Sequence, residues 1–382
     1  MQIIYCIDNK LGGITSFNYN IISNVNRPGT IQWVINIEQK EWTYTKANIP
    51  FPAGKELFFN FSAKDNLYNI IHRLHQLLPA GPGALVLNDC LEMQMLDHYP
   101  VELTTYQVVH DEYNFTLAER YEHVVDVFIA HSRFFYEKLL AVFPGRSDTI
   151  FFLPHGVGIP DWYRKPAEQG PLKLLFLGRM SAQKGIFDLP VIDKLLDEWK
   201  VPHSWICIGN GPELENLKNA WQQAATPVQF LSPATNEEVM KICAQQDVFV
   251  LPTTFEGSPV SLIETMSAGL VPVITDLPGG IREIVQPGIG YRIDMENTTG
   301  FATAIRELAA NPDTLNQYSI ACRKKIIEQY NIKDTAARYH ELFARFKELY
   351  RRKQPGKIKI GSRLDQSWLP SFFTHTIRSL QK

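Results

Sequence analysis

The chain is expected to be an α/β protein built from two doubly wound domains, and three observations carry that expectation. Its 382 residues exceed the ~250–300 at which a single core stops growing. Short β-branched and aromatic runs alternate with helical patterns, and the strands are apolar throughout, as in a parallel sheet covered on both faces. The alternation pauses once, at the polar, proline-rich stretch 160–173, and then begins again.

In the first series "IIYCI", "TIQWVINI", "ELFFNF", "GALVLND", "TYQVVHD" and "DVFIAHS" read as strands. "NLYNIIHRLHQLL" and "FFYEKLLAVF" read as helices on the 3.6-residue period. After the pause come the strands "LKLLFLGRM", "HSWICIGNG", "VQFLSP", "DVFVLPTT", "LVPVIT" and "GYRID", again with helices between them. The domains are therefore placed at 1–165 and 166–335, with 336–382 a C-terminal helix and basic tail. In such sheets ligands bind outside the carboxyl ends of the strands, so the strand-to-helix loops hold the candidate chemistry.

Composition narrows the class. A hydrophobic content of 45% with 12% aromatics fits a packed globular protein, and a net charge of -2 gives no reason to propose nucleic acid. Cys6, Cys90, Cys207, Cys243 and Cys322 are scattered, odd in number and in apolar contexts, which reads as reduced thiols in a cytoplasmic protein. No run approaches the ~18–20 apolar residues of a membrane span. The start "MQIIYCIDNK" lacks the layout of a secretory signal.

The stretch "TTFEGSPVSLIETMSAGLVPVIT" carries two carboxylates, Glu256 and Glu264. Ser258 reads as an N-cap and Pro259 as the first helical residue, so the amides that follow, Val260 onward, form an anion-binding helix mouth. Glu264, about 7.5 Å further along the axis, can accept two hydrogen bonds from a vicinal diol such as ribose. Alternatively Glu256 serves the helix dipole and Glu264 is a solvated acid.

The loop "FLGRMSAQKGIFDL" sets Arg179 and Lys184 beside Gly178 and Gly185, which suits a diphosphate leaving group, or leaves two surface cations. It lacks the Gly-Lys-Ser/Thr ending of a Walker A loop. "IGNGPELENLK" offers Gly209 and Gly211 but Leu214 where a third glycine belongs, so the dinucleotide fingerprint fails. In the first series Gly12 and Gly13 permit close backbone approach, and His110 stands at a strand end. No D-x-D pair, no metal-spaced His/Cys cluster and no G-x-S-x-G elbow occurs, so neither a metal nor a serine nucleophile is expected.

"FLGRM…QKG", "IGNGPEL", "FEGSPVSLIETMSAGLVPVIT" and "GGIREIV" together resemble, in order and spacing through 172–294, the second domain of the family 4 retaining glycosyltransferases of the GT-B fold. The first domain resembles them more loosely, through Gly12-Gly13, "VVHDE", "AHS" and "LPHGV". The resemblance implies two Rossmann-like domains facing across a cleft, and retaining, metal-independent hexosyl transfer from a UDP- or GDP-sugar with no further cofactor. The implied acceptor is a glycan or lipid-linked molecule in bacterial surface polysaccharide synthesis. It implies that Arg179 and Lys184 hold the donor diphosphate and that Glu256 contacts the donor sugar, helped by Gly257, Ser258, Pro259 and Val260. Glu264 would bind the ribose, with Gly178 and Gly209 shaping the donor site, Gly13 beside Gly12 approaching the diphosphate, and His110 facing the transferred sugar. Glu256, His110, Arg179 and Lys184 form the implied catalytic set. Ser258-Pro259, Thr265 and His155 depart from the family's usual residues, which leaves the donor sugar open. The rival readings are a catalytically silent sugar-nucleotide-binding protein and a GT-B epimerase or phosphorylase.

Between 351 and 382 eight Lys/Arg accompany one acid, Asp365, together with Trp368, Leu369, Phe372 and Phe373. One reading is a peripheral contact with the inner face of the membrane; the other is a helix packing back on the first domain.

Overall fold

In the computed structural model every strand pairs in parallel, and the strands form two sheets. The structure describes all residues except 11, 25–27, 43–45, 47–53, 167–169, 223–225, 227, 234, 357 and 381–382. Met1–Pro154 together with Thr335–Lys382 form one unit, and His155–Asp334 form the other.

The first unit contains β1 (Gln2–Asp8), β2 (Ile31–Gln39), β3 (Gly54–Phe61), β4 (Gly83–Leu87), β5 (Thr104–Val109), β6 (Val127–Ala130) and β7 (Ile150–Phe152), in the order β3-β2-β1-β4-β5-β6-β7. The apolar runs follow from double-sided cover. Along β1, Ile4 and Cys6 enter the core on one side of the sheet, while Ile3, Tyr5 and Ile7 enter the core on the other. The second core is closed by the helix Ile332–Ala344, whose Tyr339, Leu342 and Phe343 are buried there. Tyr339 donates its hydroxyl to the Leu153 carbonyl at 2.7 Å, and Tyr106 donates to the Leu342 carbonyl at 3.2 Å.

The second unit contains β8 (Leu172–Leu177), β9 (His203–Ile208), β10 (Val228–Leu231), β11 (Val248–Leu251), β12 (Val271–Thr275) and β13 (Tyr291–Ile293), in the order β10-β9-β8-β11-β12-β13. The proline-rich stretch that interrupts the pattern is part of this unit, so the boundary falls at 154/155 rather than 165/166. The reason is a buried ion pair: Arg164 Nε reaches Asp247 Oδ1 at 2.8 Å, and Arg164 N donates to the Ala268 carbonyl. A guanidinium taken out of water must be paired, and the partner lies just ahead of β11.

From Arg351 the chain runs as a strap along the first unit. Buried Lys353 pairs with Asp126 at 2.6 Å, Asp97 accepts from the amides of Gly356 and Ile358, and Asn66 donates to the carbonyls of Gln366 and Leu369. No helix among the described residues is long and apolar enough to cross a membrane.

Candidate functional site

Strand order locates the crevices. In each sheet the chain winds outward in one direction and then in the other, and the reversal leaves an opening at the carboxyl ends of the two central strands. In the second unit those strands are β8 and β11, neighbours in register at Leu174 and Val248. The loop after β8 carries Arg179 and Lys184; the loop after β11 carries Glu256, Gly257 and Ser258. Residues separated by 72 positions thus meet: Lys184 Nζ donates to Glu256 Oε1 in a partly buried ion pair. Arg179 is exposed at the same edge.

The two loops are tied by backbone. Gln183 O accepts from Thr254 N at 2.9 Å and from Thr253 Oγ1 at 3.0 Å. Gly185 has φ +66°, and a Cβ there would lie 1.8 Å from Pro252 O. The third loop, after β9, joins the same way: a Cβ on Gly209, at φ +143°, would lie 1.9 Å from Gly178 O, and one on Gly211 would lie 2.3 Å from Met180 O. The glycines of "IGNG" are therefore required by close packing of adjacent strand ends. Gly178 is less constrained, since a Cβ there meets only the Phe176 ring at 3.4 Å.

The helix after the second loop spans Val260–Ser267, with Pro259 in the N-cap position at ψ 119° and no side-chain cap. Ser258 was expected to cap and Pro259 to open the helix; the extended backbone of Pro259 moves the start one residue on. Ser258 instead backs onto Gly280, whose amide donates to Gly257 O at 2.9 Å and whose Cβ, if present, would lie 2.8 Å from Ser258 Oγ. That contact explains the second glycine of "GGIREIV", and a φ of +109° accounts for the first, Gly279. Leu262 N and Ile263 N donate to Pro259 O, which leaves the amides of Val260 and Ser261 at the helix mouth with no intrahelical acceptor, an opening for an anion.

Glu264 is half-buried one turn in, and its Oε1 accepts from Asn236 Nδ2 at 3.1 Å. Burial pushes its carboxyl up to about 7, against the pull of the Asn236 amide. A freely solvated acid would not shift this way. Thr265 faces inward, fully buried, its hydroxyl bonded to Ser261 O at 2.8 Å.

In the first unit the central strands are β1 and β4. Gly12 precedes the helix Gly13–Asn24 on the loop after β1, and Gly12 O accepts from Ser16 N at 3.0 Å. Beside it lies a cavity of about 10 Å³, lined by Asp8, Lys10, Thr15, Asn88, Asp89 and Glu92 among others, room for roughly one water-sized group. Asp8 is raised to about 6, chiefly by burial, while its carboxylate pairs with Lys10 at 2.6 Å. Burial also raises Glu92, whose Oε1 accepts from the amides of Asn88 and Asp89. Asn88 Oδ1 lies 3.1 Å from His110 Nε2, so His110, buried at the end of β5, is linked to this cluster. The acids Asp8, Asp89 and Glu92 were not singled out from sequence. Their signal was position alone, a carboxylate at the carboxyl end of each of two apolar strands.

Residues 160–325 match the family model for glycosyl transferases, group 1. The chain is 25% identical, over 57% of its length and 62% of the relative's, to the alpha-maltose-1-phosphate synthase of Mycolicibacterium smegmatis. It is 24% identical, over 52% of both chains, to a GDP-mannose:cellobiosyl-diphosphopolyprenol alpha-mannosyltransferase of Xanthomonas oryzae. It thus spans only 44–62% of the length of such curated relatives. The sucrose-phosphate synthase of Thermosynechococcus elongatus superposes with a TM-score of 0.73 at 15% identity, covering 92% of this chain and all of the other. Anabaena HepE in complex with UDP and glucose gives 0.70 at 14% identity, covering 90% and 99%. The fold is that of the GT-B glycosyltransferases, two parallel-sheet Rossmann-like domains.

Proposed function

We propose that the chain is a retaining hexosyltransferase that uses a UDP- or GDP-sugar and passes the sugar to a glycan or lipid-linked acceptor. The observation that carries this reading is the Lys184–Glu256 pair at the crevice of the second sheet, with Arg179 exposed on the same loop as Lys184 and the Val260 helix mouth following Glu256 in the chain. Departure of a nucleoside diphosphate gathers negative charge on phosphate oxygens and positive charge at the anomeric carbon. Arg179, Lys184 and the first-turn amides stabilise the former as fixed donors. Glu256 then accepts from sugar hydroxyls and Glu264 from the ribose diol. Gly12, Gly13 and His110, at the carboxyl edge of the first unit's own sheet, are that unit's candidate residues. No metal ion is assigned a role, since the sequence offers no D-x-D pair to hold one on the diphosphate. A place in bacterial surface polysaccharide synthesis is supported by the polyprenol-linked acceptor named for the Xanthomonas relative. Five free cysteines, four of them buried, support a reducing cytoplasmic setting.

The testing experiment is a thermal-shift panel of UDP, GDP, ADP, CMP and their sugar conjugates against the wild type and the Arg179→Ala/Lys184→Ala variant. One nucleotide class is expected to raise the melting temperature of the wild type and not of the variant. If no nucleotide shifts the wild type, the reading fails. If a nucleotide sugar binds yet is never transferred, the silent-relative reading replaces it, and isomerised donor as product points to an epimerase.

Glu264 makes the binding pH-dependent. Its ionised form accepts from both ribose hydroxyls, so nucleotide affinity should fall about tenfold per unit below its raised value of about 7 and level off above it. Calorimetric titration on either side of that pH checks this, and Glu264→Gln should flatten the limb. For the empty unit the sign is opposite. The fold favours the protonated acid, so this group's contribution to stability is complete below the ordinary 4.5 and is lost as pH rises through about 7.

A further inference from the structure

The C-terminal helix Ser371–Leu380 is mounted with its polar side against the protein and its apolar side in water. Toward the first unit, Asn66 N donates to Ser371 Oγ at 3.3 Å and Lys64 Nζ to Ser379 Oγ at 3.2 Å. Arg378 donates to Asp65 O and to Asp365 Oδ2, each at 2.6 Å, and Thr374 is fully buried. Outward stand Phe372, Phe373, Ile377 and Leu380, at 73, 54, 38 and 80% exposure, with Trp368 just ahead of the helix at 76%. Their spacing places them on one stripe. A surface helix ordinarily turns such a stripe to the core, because exposing it forfeits the burial that stabilises the helix. Here the hydrogen bonds to Asp65, Asn66 and Asp365 hold the opposite orientation, and the Lys353–Asp126 pair and the Asp97 bonds anchor the strap upstream.

We infer that this ridge docks the protein on an anionic lipid bilayer. The inference stands independently of the glycosyl-transfer reading. Charge selects the occupant. Arg352, Lys359 and Arg363 are exposed on the same strap, while its one acid, Asp365, is buried and held by Arg378. The solvent-facing charge of the segment is therefore of a single sign, suited to anionic headgroups, and the indole and phenyl rings suit the level just beneath them. A second copy meeting the ridge face to face would bring like charges together, which opposes self-association.

The test is co-sedimentation of the full chain with sucrose-loaded vesicles of phosphatidylglycerol and phosphatidylcholine, beside vesicles of phosphatidylcholine alone. Binding is expected only to the anionic vesicles and should weaken as salt is raised. The Trp368→Ser/Phe372→Ser/Phe373→Ser variant should lose on the order of tenfold or more in partitioning. Its melting temperature should be unchanged, because these side chains are exposed. Arg352→Glu/Arg363→Glu should show a similar loss with the ridge intact. Wild type that stays off anionic vesicles overturns the inference, as does equal binding by the aromatic variant. A concentration-dependent dimer that this variant abolishes, without vesicle binding, also overturns it and assigns the ridge to a second copy.

Discussion

Replacing Lys184 by alanine is expected to lower kcat for sugar transfer by about 10²–10³, the loss usual when one fixed donor to a developing oxyanion is removed. The geometry makes the test sharper than a simple activity loss. Lys184 and Glu256 are paired across two loops of the second sheet, and the Glu256 carboxyl is the more buried partner. Truncating the lysine deprives a desolvated carboxylate of this cation, which costs about 1–3 kcal/mol of stability in addition to the catalytic loss. Lys184→Met combined with Glu256→Gln removes both charges, so the melting temperature should return toward wild type while activity stays low. A pair that only braced the loops would behave differently: the neutral double variant would regain activity along with stability. Lys184→Arg keeps the charge but spreads it over a planar fork, and it should retain part of kcat with a raised KM. Steady-state kinetics and thermal melts on the three variants distinguish these outcomes.

The two-sheet architecture was legible because parallel strands buried on both faces leave continuous apolar runs, as in "GALVL" and "VFVL". β7 was not, since it is three residues long and follows a 3-10 segment rather than a helix. The positions of Arg179, Lys184 and Glu256 on strand-to-helix loops, and of Glu264 in the helix that follows, were legible because those segments come directly after apolar strands. Their pairing was not, because it depends on which strands become neighbours, and β8 and β11 are far apart in the chain. The same limit hid the cluster of Asp8, Asp89 and Glu92, which forms only when β1 and β4 lie side by side. The boundary at 154/155 was obscured by a polar stretch whose Arg164 is an internal group of the second unit. The tail's composition showed basic and aromatic residues together, but only the mounting of its helix shows which side faces water.

Gly185→Ala is expected to cost the second unit at least about 3 kcal/mol and, with it, donor binding. Two separable effects add. The left-handed backbone at φ +66° and ψ 25° disfavours any residue with a Cβ, by about 1–2 kcal/mol. In addition the new atom would lie 1.8 Å from Pro252 O and 2.5 Å from its carbon, both backbone and both held by the end of β11. No rotamer relieves that overlap, so the β8 and β11 loops must part. Lys184 is the preceding residue, and Glu256 rides on the displaced loop, so the ion pair between them opens as well. Misplacement by about 1 Å in a catalytic constellation costs about 10² in rate. Gly288→Ala supplies the control: its φ of +83° is also left-handed, but a Cβ there meets nothing within 4 Å. It should show the backbone cost alone and leave nucleotide affinity intact. Denaturant melts with nucleotide titration on both variants decide the matter. Equal losses at the two positions would mean that the close approach at Pro252 contributes nothing, and that the loops bearing Lys184 and Glu256 are not held together by that contact.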